Sequence, residues 1–327
     1  MRKIKWGVLG TAYIFERDTA RGMALAENCE LVAIAGRTMA KAVAFKEKYG
    51  FQRAYGSYET LLDDPEIEAV YIPLPNTLHH MWTMRALKKG KHVLCEKPLV
   101  PTEKEAEELF RTAKENGVYL MEAFAYQHSP LVQAVQDEIA SGIIGDVRYM
   151  EAALITSDYD MSNIRMRRET LGGCTYDLGV YAISLIQRMM GKEPENVQAI
   201  ATYNEEHIDT YTTGIFTYDD GAKANFACGM VLATERNSAL DRFQIHGTKG
   251  AIISECFAFN MPGKLSYRVK TFDGVDEIRH VEVPNNYCLE VEQLGRCITE
   301  GQQPAVSAEF STQLARTIDR VLQAIEY

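Results

Sequence analysis

Short apolar runs at residues 5–9, 31–35, 69–72, 92–95 and 119–121 divide the first third of the chain. Runs of this length without polar alternation mark strands buried on both faces, as in a parallel sheet. Between them, apolar positions recur at helical spacing over 12–26, 40–48, 78–89 and 103–116. The last of these opens on a capping box, Thr102 with Glu105, and closes at Gly117. Strands and helices alternating with right-handed crossovers give a doubly wound α/β sheet.

From about residue 123 the texture changes. A helical pattern at 131–140 leads to a strand near 147–156, and a second helix at 176–190 precedes a run of strands. Hairpin turns are signalled at Asp219-Asp220-Gly221 and Asp273-Gly274, and a helix at 311–325 closes the chain. This half reads as an α+β domain with an open, largely antiparallel sheet and helices on one face. A second subunit is one way to cover the other face. Residues 1–122 and 123–327 are therefore the expected domains, each of ordinary size.

The composition, 46% hydrophobic and 24% charged, is that of a soluble globular enzyme. A formal charge of −10 excludes nucleic acid as a partner, since there is no net basic field to release counterions. No apolar run approaches 18 residues, so no membrane partner is expected. The seven cysteines are scattered without a C-x-x-C pair and no signal sequence precedes the first strand, which predicts a reduced, cytoplasmic protein. The seven histidines show no ligand spacing, and no metal is expected.

Candidate chemistry gathers at the carboxyl ends of the predicted strands, where open α/β sheets bind ligands. The first strand runs into Gly10-Thr11-Ala12-Tyr13-Ile14 and then a helix. Backbone N–H groups at such a helix N-terminus hold a dinucleotide pyrophosphate, and small residues permit its approach. Against the G-x-G-x-x-G pattern the chain supplies Gly10, Ala12 and Phe15, and the phenylalanine is a departure. The small residues also fit plain strand–helix packing. The second strand ends Gly36-Arg37-Thr38, with no carboxylate for a ribose hydroxyl. Arg37 and Thr38 fit a 2′-phosphate, which favours NADP over NAD. The alternative makes Arg37 a surface arginine and Thr38 a helix cap. After the strand at 69–72, Pro73, Pro75, Asn76 and His79 are candidates to flank a nicotinamide. A rigid connection accounts for the prolines but not for Asn76 and His79.

The strand at 92–95 ends in Glu96-Lys97-Pro98 and offers Lys97 as the proton-carrying amine for hydride transfer. Asp177 and Tyr181 lie four residues apart on one helical face. Asp177 can bind a substrate hydroxyl, orient Lys97, or simply favour the helix dipole. Tyr181 can relay the proton, donate to a carbonyl oxygen, or pack. Tyr126 and His128 are candidates for a substrate cleft or for structure. Arg165 and Arg168 read as solvated charges. Gly247-Thr248-Lys249-Gly250 lacks phosphate-loop spacing and reads as a β-turn.

Gly7-x-x-Gly10-Thr11-Ala12, Pro75-Asn76-x-x-His79, Glu96-Lys97-Pro98 and Gly172-Gly173-x-x-x-Asp177-x-Gly179-x-Tyr181 occur in this order. Together they resemble the Gfo/Idh/MocA oxidoreductases over essentially the whole chain. Glu122-Ala123-Phe124-x-Tyr126 with Asp177-x-Gly179-x-Tyr181 is most similar to the dihydrodiol and sugar dehydrogenase branch. The resemblance implies an N-terminal Rossmann domain and a C-terminal domain whose sheet makes a homodimer or higher homo-oligomer. It implies NADP as cofactor, Glu96 and Lys97 beside it, Lys97 as the catalytic lysine, and often a cis Lys–Pro bond. Many relatives carry histidine where this chain has Tyr181, which speaks against an inositol substrate. The expected function is hydride transfer between NADP and a secondary alcohol or carbonyl of a sugar, cyclic polyol or vicinal diol. Lys97 is the expected general acid/base, with Asp177 and Tyr181 beside it. Two alternatives use the same scaffold: a non-catalytic NADP-binding regulator, and a hydrolase that borrows NAD to cleave glycosides.

Overall fold

The computed structural model describes residues 2–157, 159–232, 239–256 and 259–327, without the side chains at 232, 255 and 256. The chain forms two compact units, Met1–His128 with Pro284–Thr312, and Ser129–Val283 with Gln313–Tyr327. The first unit thus takes back a segment from late in the sequence.

Its sheet contains β1 (Ile4–Leu9), β2 (Cys29–Ala35), β3 (Arg53–Tyr55), β4 (Ala69–Ile72), β5 (His92–Glu96) and β6 (Leu120–Ala123), in the order β3-β2-β1-β4-β5-β6. Every pairing is parallel. The predicted apolar runs are all strands, and Val8, Leu9, Val70, Tyr71, Val93 and Leu94 are fully buried. Winding reverses between β1 and β4, which makes their carboxyl ends the switch point where such sheets hold ligands. Helices Met39–Tyr49 and Glu103–Glu115 begin where Thr38 and Thr102 cap them. The helix expected over 12–26 winds as a π-turn across Phe15–Thr19 before becoming α-helical over Ala20–Leu25.

Helix Asn286–Glu300, in the returning segment, packs on the helix Ala20–Leu25. The approach is close: a Cβ at Gly22 would lie 2.5 Å from Tyr287 Cβ.

The second unit is built on β7 (Val147–Ser157), β8 (Asn196–Tyr203), β9 (Asp209–Thr217), β10 (Lys223–Leu232), β11 (Leu240–Gly247), β12 (Gly250–Cys256), β13 (Gly263–Thr271) and β14 (Asp276–Val283). Their order is β14-β13-β12-β11-β7-β10-β9-β8. Only β7 and β10 pair in parallel among the described residues. Both predicted hairpin turns are present, with Gly221 and Gly274 at φ of 81° and 105°. Helices Pro130–Ala140 and Val180–Met190 belong to this unit. Along β8 exposed and half-buried positions alternate, and Ile200 is 73% exposed. Among the described residues no helix is long and apolar enough to cross a membrane, and no group of three or more His, Cys, Asp and Glu side chains is placed to hold a metal ion. The six cysteines whose side chains are described are free thiols, and all but Cys288 are buried.

Candidate functional site

Gly10 turns the chain out of β1 at φ 129°, and its N–H donates to the Ala35 carbonyl at the end of β2 (2.9 Å). A Cβ there would stand 3.0 Å from Leu74 Cδ2, so the turn lies flat against the loop after β4. Thr11, Ala12 and Ile14 are half-buried, and Tyr13 is exposed. Phe15 is fully buried, with its ring 5.2–6.4 Å from those of Phe45, Tyr49, Phe51 and Tyr71. The third fingerprint glycine normally lets helix and strand approach closely. Here an aromatic cluster fills that interval, which gives the departure a physical cause. Arg37 is exposed beyond β2, and Thr38 accepts the Lys41 N–H (3.4 Å) as a helix cap.

After β4, Pro73 is buried, and Pro75 and Asn76 are half-buried. His79 is fully buried, with Nδ1 2.8 Å from the Pro98 carbonyl and Nε2 2.7 Å from that of Leu74. It ties the loop after β4 to the loop after β5. Burial lowers its pKa, against the pull of the two carbonyls.

Lys97 is half-buried at the end of β5, and the Lys97–Pro98 bond is cis. Thr19 Oγ1 lies 3.0 Å from Tyr71 Oη, which donates to Glu96 Oε1 (2.5 Å). Glu122 is 2% exposed and accepts the Leu99 N–H (2.8 Å); Glu290 is 1% exposed. Burial pushes the Glu122 carboxyl up to about 7 and raises those of Glu96 and Glu290. The ammonium of Lys97 pulls Glu96 and Glu122 back down, while Glu96 pushes Glu290 further up. Burial and the lysine ammonium thus act on the carboxyls of Glu96 and Glu122 in opposite senses, so their charge is coupled to that of Lys97. Sequence reasoning gave Glu122 and Glu290 no role. A glutamate inside the apolar run Leu120-Met121-Glu122-Ala123 was the available signal; Glu290 had none, since only the returning segment brings it here.

In the second unit, Gly173 (φ 99°) donates to the Arg165 carbonyl (2.8 Å) and Gly172 to that of Arg167 (3.0 Å). The helix predicted over 176–190 opens as a π-turn, Thr175–Gly179, and continues over Val180–Met190. Arg165 is not the solvated charge expected of it. The turn that brings its carbonyl to Gly173 also brings its Nε to Asp177 Oδ2 at 2.5 Å. Arg168 donates to the His207 carbonyl (3.3 Å) and lies over the Tyr327 ring (4.9 Å). Half-buried Tyr181 accepts from Asn260 Nδ2 (3.3 Å), and its ring centroid is 5.3 Å from that of Phe259. Asn260 went unnoticed in the sequence. In the first unit, Tyr126 is fully buried and takes the Gln127 side-chain N–H (2.5 Å), and His128 is half-buried. Thr248 and Lys249 form the turn between β11 and β12, donating to the carbonyls of Asp146 (3.0 Å) and Ile144 (2.8 Å), as the reading of that segment predicts.

Residues 4–124 match the family model described as oxidoreductase family, NAD-binding Rossmann fold, and residues 132–253 match the GFO/IDH/MocA C-terminal domain. The chain belongs to the GFO/IDH/MocA family. It is an NAD(P)-dependent oxidoreductase, as its motifs imply. It is 33% identical to a D-xylose 1-dehydrogenase (NADP⁺) of Haloferax volcanii, across 98% of this chain and 97% of that one. It is 29% identical to a trans-1,2-dihydrobenzene-1,2-diol dehydrogenase of Xenopus tropicalis, across 98% of each. Its fold is similar to a crystal structure of a 3-ketoreductase from Actinomadura kijaniata in complex with NADP and TDP-benzene. The TM-score is 0.90 at 28% identity, covering 99% of this chain and 98% of the other.

Proposed function

We propose that this member of the GFO/IDH/MocA family uses NADP to interconvert a secondary alcohol and a carbonyl on a sugar, cyclic polyol or vicinal diol, with Lys97 as general acid/base. The observation that carries the reading is Lys97 at the carboxyl end of β5, beside the switch point and backed by half-buried Glu96 and the buried carboxyl of Glu122. Relatives named for NADP, D-xylose and a dihydrobenzenediol support it.

The first unit fits a dinucleotide. The turn at Gly10 leaves no side chain between backbone and ligand, and the flanking N–H groups of Thr11 to Ile14 begin a helix. Arg37, with Thr38, would take the 2′-phosphate; Pro73, Pro75, Asn76 and His79 would shape the nicotinamide side, with Glu96 and Lys97 next to it. The nicotinamide, when bound, supplies or accepts the hydride at C4. Lys97 Nζ removes the hydroxyl proton during oxidation and returns it during reduction, and Glu96 and Glu122 balance its charge. Asp177, fixed by Arg165, and Tyr181, fixed by Asn260, bind the hydroxyl or carbonyl oxygen of the substrate, with Tyr126 and His128 supporting. The exposed face of β8 and β9, with Ile200 and Ile215, is the surface for a homo-oligomer.

The test is Lys97→Met assayed against aldoses, polyols and diols with NADP(H). Turnover is expected to fall by about 10²–10⁴-fold, the usual acid–base contribution, with NADPH still bound. Near-normal turnover in this variant contradicts the assignment, and free sugar released without net cofactor change would favour glycoside hydrolysis instead.

A further inference from the structure

We propose that Asp209 is a positioning residue for the reaction: its buried carboxylate sets the first turn of the helix that carries Asp177 and Tyr181. The proposal rests on the reading of those two residues as substrate ligands. Asp209 opens β9 and is fully buried. Its Oδ2 accepts three donors: the Thr175 backbone N–H at 2.8 Å, the Thr212 hydroxyl at 3.0 Å and the Cys174 thiol at 3.1 Å. Two of the three come from the residues that begin the helix, and the third, from β9, fixes the oxygen that receives them.

The other oxygen has a different task. Asp209 Oδ1 has no hydrogen-bond partner among the described residues, yet an ideal Cβ at Gly173 would fall 1.9 Å from it. The carboxylate occupies the volume a side chain at 173 would need, so it determines which residue the turn can carry. Gly173 in turn offers its carbonyl to the Asp177 N–H (3.1 Å). Tyr327 also reaches the pair, donating its hydroxyl to the Gly172 carbonyl at 2.8 Å. The glycine pair is thus held by the carbonyls of Arg165 and Arg167, by Tyr327 and by Asp209.

The chemistry favours an acid here over any neutral residue. The first N–H groups of a helix lack internal partners and carry partial positive charge, which a carboxylate satisfies most strongly. Burying that carboxylate is costly, and burial does raise its pKa against the pull of its donors. A buried carboxylate whose oxygens define a turn two residues before Asp177 is what substrate positioning requires, because small displacements of a reacting group are expensive in rate.

The experiment compares wild type with Asp209→Asn, which keeps the shape but removes the charge, and with Thr212→Ala, which removes one donor to the same oxygen. Four quantities are read: kcat and KM for a diol or polyol substrate, NADPH affinity by fluorescence, and hydrogen exchange of the amides of residues 173–181. The proposal expects Asp209→Asn to lose about 10- to 100-fold in kcat with a raised KM, unchanged NADPH affinity, and faster exchange confined to that segment. Thr212→Ala should show a smaller loss of the same kind, and it answers the question if Asp209→Asn does not fold. Wild-type kcat and KM in a folded variant overturn the proposal, as does unaltered exchange at 173–181. A wild type that turns over no substrate sinks the functional reading instead, and the exchange measurement still decides whether Asp209 sets the turn.

Discussion

At the scale of single residues, the cofactor choice proposed above rests on one side chain. No acid stands at the end of β2 to accept from a ribose hydroxyl, and the Thr38 oxygen is already engaged by the Lys41 N–H. Arg37 lies exposed at this strand end and can fork onto a phosphate dianion. Arg37→Ala is therefore expected to weaken NADP(H) binding by about 1.5–3 kcal/mol, the range for charge-assisted hydrogen bonds, while sparing NAD(H). Fluorescence titration with both nucleotides at fixed ionic strength measures this. An equal loss for both would assign Arg37 to packing. Arg165 makes the complementary point: its type and position in the sequence read as solvated charge, and its partner Asp177, twelve residues on, is set by backbone hydrogen bonds to a glycine pair. Such pairing has no local sequence signature.

At the scale of elements, Phe15 separates pattern from cause. Its place in the motif asks for glycine, but its ring is the centre of an aromatic cluster joining the first helix to β4 and to the helix Met39–Tyr49. Phe15→Gly would complete the fingerprint on paper and empty that cluster. Loss of a buried phenylalanine costs about 3–5 kcal/mol, and glycine within a helix adds about 1 kcal/mol. The variant should show a urea midpoint lowered to match, with no gain in nucleotide affinity; tighter nucleotide binding at unchanged stability would refute this account. The strands of this unit were legible because burial on both faces leaves an unbroken apolar run, and two helix starts because Thr38 and Thr102 are caps. The short strand Arg53–Tyr55 was not, since three half-buried residues carry no period. Nor was helix Asn286–Glu300, because Asn286, Glu290 and Gln293 are buried beside Tyr287, Val291 and Leu294 and blur the apolar stripe. Of the site, the Glu96-Lys97 strand end and the glycine turn could be read directly, but the parts of Glu122 and Glu290 needed the fold.

At the scale of the whole molecule, the first unit is not a contiguous stretch of chain. Residues 284–312 return to it, and their helix buries Tyr287, Val291, Leu294 and Cys297 against it. The Asn28 side chain donates to the Glu292 carbonyl (2.9 Å), and Gly295 allows that approach, since a Cβ there would stand 2.2 Å from Asn28 Nδ2. Tyr287 also donates to Asp18 (3.2 Å). At about 1.5–3 kcal/mol for each fully buried large apolar side chain, this one helix supplies roughly 5–10 kcal/mol, comparable to the about 5–15 kcal/mol that holds a whole domain together. A chain ending at His128 therefore keeps every strand of the parallel sheet, the glycine turn, Arg37 and Lys97, yet lacks the surface that covers Gly22 and Asn28. We expect it to show no cooperative thermal transition and to bind NADPH far more weakly than the full chain. The same chain joined through a short flexible linker to residues 284–312 should recover a sharp transition. Near-UV circular dichroism on both forms decides: if the shorter one melts as sharply as the linked one, the returning helix is an accessory to this unit and not part of its core.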